Sequence, residues 1–93
     1  MKSILKLLEE VERKFSSEYK MKTINGQNCF ISESGTIFYF GVLKEFRTLI
    51  VLYAENMEEA QKNKFDEGDQ FDIDQDLDML IADIREELAI EIA

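Results

Sequence analysis

The chain of 93 residues has no histidine, no proline and no tryptophan, with only one cysteine and four glycines. Each lack narrows what the protein can do. Without histidine the commonest general base and metal ligand near neutral pH is missing, so hydrolase arrangements that depend on imidazole are excluded. Carboxylate or lysine catalysis stays open, but no nucleophile–base or ligand constellation singles it out, and no catalytic residue, cofactor or metal ligand is expected. Cys29 stands alone, which rules out an intrachain disulfide and a cysteine-based metal cage and makes a reducing cytoplasm the simpler setting. The absence of proline means that no slow prolyl isomerisation is expected in folding. Long apolar runs are missing too. No window approaches the roughly 20 apolar residues of a membrane span. At the N-terminus Lys6, Glu9 and Glu10 interrupt the apolar run too early for a signal peptide.

What is present is an uneven distribution of charge. From Ala54 to Ala93 there are 14 acids and 3 bases, a net −11, whereas Met1 to Tyr53 carries 6 acids and 8 bases, a net +2. A segment so polarised projects a negative field that favours basic partners and repels nucleic acid and anionic membranes. The remainder is globular in character. A hydrophobic content of 45 %, with seven Phe and three Tyr, is too high for a disordered acidic tail, and a chain of this length makes a single domain with one core.

Ser3 caps a first helix whose Ile4, Leu8, Val11 and Phe15 share one face, with its end near Ser16 and Ser17. Tyr19, Met21 and Thr23 alternate with Lys20 and Lys22 as in a half-buried strand, and Asn25-Gly26 turns it into a returning strand over Cys29 to Glu33. Ser34-Gly35 turns the chain again into a strand from Thr36 to Leu43. Arg47 to Tyr53 reads as a fourth strand, although Phe46, Leu49, Ile50, Tyr53 and Met57 also sit at helical spacing. Asn56 decides between the two. Followed by Glu59, it forms a capping box that starts a second helix at Met57, running to about Lys64, and so ends the preceding element at Ala54. The stretch Phe65 to Asp76 reads as an acidic loop, with Asp72 or Asp74 capping a third helix. Leu77, Ile81, Ile84 and Leu88 carry that helix to the C-terminus. The expected fold is α+β in the order αββββαα, with an antiparallel four-stranded sheet packed by one N-terminal and two C-terminal helices. Because Ile37, Tyr39 and Leu43 are apolar as well as Phe38, Phe40 and Val42, both sheet faces need cover, from the C-terminal helices or from another copy of the chain.

Four candidate sites stand against plainer readings. Asp72, Asp74, Asp76 and Asp83 are spaced as in a calcium loop, but Leu77 replaces the required glycine, position twelve lacks its glutamate, and Leu77, Ile81 and Ile84 want a helix. Only weak divalent binding to the acids survives that test. With 20 acids, some pair lies at glycosidase separation by chance, which carries no weight. Cys29, between Asn28 and Phe30 on a strand, reads as a small buried hydrophobe. Phe65, Phe71 and Ile73 among acids read either as core anchors of the loop or as the aromatic centre of a recognition surface.

The function expected on these grounds is non-enzymatic: a cytoplasmic, immunity-protein-like or inhibitory binder, including a mimic of nucleic-acid charge. Its partner would be a basic protein, with no direct contact to nucleic acid or membrane. The residues expected to meet it are Asp66, Glu67, Asp69, Asp72, Asp74, Asp76 and Asp78, with Phe71 as the apolar anchor. The alternative is a structural or regulatory domain, such as a homodimer, whose acidity serves solubility.

Overall fold

The computed structural model describes residues 3–92. Its elements are α1 (Ile4–Ser16), β1 (Lys20–Ile24), β2 (Gln27–Ile31), β3 (Ile37–Leu43), β4 (Thr48–Ala54), α2 (Met57–Gln61), β5 (Asp66–Asp72) and α3 (Leu77–Glu91), with a 3-10 turn at Lys44–Phe46. The class is α+β, as the sequence leads one to expect. The sheet, however, has five strands rather than four, in the order β1-β2-β3-β4-β5, with every neighbouring pair antiparallel. The chain order is therefore αββββαβα. The acidic stretch expected as a loop is an edge strand.

Its disguise has a physical cause. Asp and Gly are poor strand formers, and β5 holds three Asp and one Gly in seven residues. Its register slips between Ile50 and Leu52, which pair with Gln70 and Glu67, so three steps on β5 answer two on β4. A bulge of that kind breaks the alternation by which a strand is recognised. Gly68 sits in the bulge because a Cβ there would collide with the Tyr53 ring and lie 2.9 Å from the Val51 carbonyl oxygen.

Elsewhere the local signals act as their chemistry dictates. Ser3 Oγ accepts a hydrogen bond from the Lys6 amide at 3.2 Å and starts α1. Asn25 and Gly26 both take positive φ, 52° and 80°, as the tight turn between β1 and β2 requires. Asn56 Oδ1 accepts from the Glu59 amide at 2.9 Å, so α2 starts at Met57 and β4 ends at Ala54. The helix stops at Gln61, earlier than Lys64, with Asn63 left-handed just beyond it. For α3 the cap differs from expectation. Asp76 occupies that position without a side-chain hydrogen bond, while Asp72 Oδ1 accepts from the Asp74 amide at 2.8 Å in a local turn. Ala93, to which this helix was expected to run, lies outside the described residues.

The two long helices pack on one face of the sheet. Val11 and Phe15 of α1 and Leu80, Ile81, Ile84 and Leu88 of α3 close over Phe30, Phe38, Phe40, Leu49, Val51 and Phe71. Ring contacts such as Phe15–Phe40 at 5.5 Å and Phe30–Phe38 at 5.3 Å bind this layer together. The other face has a smaller cluster, in which Ala60 of α2, with Met57 and Phe65, packs on Ile24, Cys29, Ile37 and Ala54. Asn25 Nδ2 donates to the Gln61 carbonyl at 3.0 Å and ties α2 to the β1–β2 hairpin. A helix of five residues is about 7 Å long, whereas five strands span roughly 19 Å. Much of this second face is left without a helix.

Candidate functional site

The acids expected to meet a partner divide between β5 and the start of α3. Asp66, Glu67, Asp69 and Asp72 are exposed along β5, the edge strand. Directly opposed residues of an antiparallel pair share a face, so the register sorts their side chains. Glu67 lies opposite Leu52, Gln70 opposite Ile50 and Asp72 opposite Thr48, all on the face that α2 partly covers. Asp66 opposes Tyr53 and Phe71 opposes Leu49, on the face that carries α1 and α3. Phe71 is 9 % exposed and belongs to the main core, so its role as a partner anchor is corrected. It holds β5 to the helices.

Asp74 is not available either. Arg47 donates to both its carboxylate oxygens, Nε to Oδ2 at 2.7 Å and Nη2 to Oδ1 at 2.6 Å. That guanidinium holds the Asp74 carboxyl below the usual range and, by the same hydrogen bonds, raises the Arg47 pKa. The pairing also removes the calcium-loop reading, since its second ligand is already occupied by a cation. Asp76 caps α3 and Asp78 is exposed in its first turn, where the helix dipole favours negative charge. Among the described residues, no group of three or more Asp, Glu or Cys is disposed to hold a metal ion.

One feature of the site escapes a reading of the sequence. Glu87 of α3 reaches Asp69 of β5, and its hydrogen bond to Asp69, followed by burial and the nearby charges of Asp69 and Glu91, pushes the Glu87 carboxyl up to about 7. In its protonated form Glu87 is the donor of that hydrogen bond and Asp69 the acceptor. Beside them the Tyr53 hydroxyl is buried with no hydrogen-bond partner. Burial, then Glu87, Glu91 and Asp69, holds the Tyr53 proton far more tightly than in a free phenol. The spacing of Glu87 and Glu91 by four residues signals that they share a helix face. Nothing in that spacing names Asp69, some twenty residues upstream.

The remaining candidates offer little chemistry. Cys29 is fully buried, and burial raises its thiol pKa, which makes it inert. A cleft of about 690 Å³ lies at the other edge of the sheet, between Tyr19, Lys20 and Ile31 and the end of α3 at Leu88 and Ile92. Its buried Ser32 hydroxyl is hydrogen-bonded to Ser34 at 2.9 Å. No helix among the described residues is long and apolar enough to cross a membrane. No protein-family model, curated protein or solved structure matches this chain.

Proposed function

We propose that the chain is a non-enzymatic, cytoplasmic binding protein that presents the acidic β5 edge, with the adjoining flank of α3, to a basic site on a protein partner. An immunity protein or an inhibitor that mimics nucleic-acid charge works in this way. One observation carries the reading. Asp66, Glu67, Asp69 and Asp72 are exposed along one strand, and none is in an ion pair among the described residues. Such a row lowers stability through self-repulsion unless an external cation offsets it, and it speeds encounter with a positively charged surface.

A second reading has its own support. β5 is an open edge, and acids plus a bulge on an edge strand block unwanted pairing with other chains. The two readings separate in one experiment. The variant Asp66→Asn, Glu67→Gln, Asp69→Asn, Asp72→Asn is used beside the natural chain for affinity capture from the source cell at low and high salt. On the partner reading, a basic protein is retained by the natural chain at low salt and lost with the variant. A variant that retains the same proteins, or simply self-associates, would favour edge protection and set the partner aside.

A further inference from the structure

Leu43, Ile50 and Leu52 belong to neither packed cluster. Cross-strand pairing places them on one face, since Gly41 opposes Ile50, Tyr39 opposes Leu52 and Leu43 opposes Thr48. A Cβ added to Gly41 would meet Leu52 Cδ1 at 3.3 Å and Ile50 Cγ2 at 3.4 Å, so these side chains lean over the glycine and close the strand backbone from water. Phe65 packs edge-on against Tyr39, with ring centroids 4.8 Å apart. Below that point no helix packs on the sheet: Leu43 and Leu52 are partly exposed at its surface, whereas Ile50 between the strands is only 4 % exposed. In the turn that joins β3 to β4, Phe46 is 71 % exposed. On the same face, the next strand brings Glu67 beside Leu52 and Asp72 beside Thr48.

An apolar centre with a charged border is the anatomy of a protein interface. We infer that the partner surface extends from the acidic edge onto this helix-free part of β3 and β4, and that its occupant is an apolar patch ringed by lysine or arginine. The inference rests on the acidic-partner reading above. It adds where the binding energy resides: apolar burial on Leu43, Leu52 and Phe46 holds the complex, while Glu67 and Asp72 select a basic rim. Charge argues against a second copy as occupant. Each chain carries −9, and a two-fold contact would set two acidic borders into one interface. A bare cation or a nucleic acid leaves the apolar centre unused.

The test is NMR titration of the full chain with two probes, an octapeptide of alternating lysine and leucine and an octapeptide of lysine alone. Both should shift the backbone amides of Asp66 to Asp72. Only the alternating peptide should shift the methyl groups of Leu43 and Leu52, and Leu52→Lys should weaken it roughly tenfold. Phe46→Ser, at an exposed position, gives a second variant whose fold is not in question and should weaken it less. If the β5 amides move with both peptides while the methyl groups stay still, this inference is overturned and the acidic-edge reading stands. If nothing moves, both are overturned. Methyl shifts that depend on the concentration of the chain alone would show a second copy on the face and would also overturn it.

Discussion

The two faces of the central strands β3 and β4 are both apolar and yet meet different fates. On one, two helices of 13 and 15 residues cover the aromatic layer from Phe30 to Phe71. On the other, Ala60 and Met57 of the five-residue α2 pack over Ile24, Cys29, Ile37 and Ala54 and leave Leu43 and Leu52 partly exposed. The first face holds the fold together. The second has apolar character that the fold does not use, beside the most acidic strand of the chain.

The comparison is broken most directly by cutting side chains on each face. Phe15→Ala should cost about 3–5 kcal/mol in urea unfolding, because Phe15 is fully buried among Phe40, Tyr19 and the helices. Leu43→Ala on the other face should cost less, about 1–2 kcal/mol, because Leu43 is partly exposed and belongs to neither packed cluster. Equal costs would mean that the second face is packed as tightly as the first. Asn56→Ala should cost about 1 kcal/mol by removing the cap of α2, and hydrogen exchange should quicken around Ile24 and Ala54 but not around Phe38. Uniform quickening on both faces would show that α2 supports the whole fold rather than one end of one face.

The pH dependence sharpens the contrast on the helix side. Glu87 titrates near 7 in the folded chain against 4.5 when free, so the folded state binds the extra proton. Its contribution is fully present below pH 4.5 and is lost as the pH rises through 7. Unfolding measured across that range should show stability declining toward pH 8, and Glu87→Gln should flatten the slope while keeping a donor to Asp69. Asp74, held low by Arg47, works in the opposite window: its contribution is present at neutral pH and lost on acidification through its lowered pKa. The smallest effect concerns salt. Raising ionic strength from about 10 to about 150 mM shortens the Debye length from roughly 30 to 8 Å and should raise Tm, since repulsion among the acids of β5 and α3 is screened. A falling Tm would place attractive partners for those acids inside the fold.

Much of the architecture is legible because its signals are local. A cap at Ser3, a tight turn at Asn25-Gly26 and a cap at Asn56 each act within four residues, and each sets an element boundary in the structure. The cap also excludes the rival long helix over β4 and α2. β5 was not legible, since its bulge at Gly68 breaks the alternation and its acids argue for a loop. The site was legible as a stretch of charge but not residue by residue. Arg47, 27 residues away, pairs the charge of Asp74, and Leu49 with the helices takes Phe71 into the core.

By itself the sequence determined the class, most of the boundaries and the sign of the surface that a partner would meet. Those follow from periodicity, capping chemistry and charge, which act over one or two turns of chain. Only the tertiary structure decided that Phe65 to Asp76 contributes an edge strand, that α1 and α3 share a face, and that Glu87 meets Asp69. The pattern of α3 could not choose its face alone: it buries Leu80, Ile81, Ile84 and Leu88 yet leaves Met79 and Ile90 exposed, 60 % and 71 %. A helix apolar on both sides is oriented by what it packs against, here the aromatic layer of β2, β3 and β4, and the sparsely covered face opposite is the consequence.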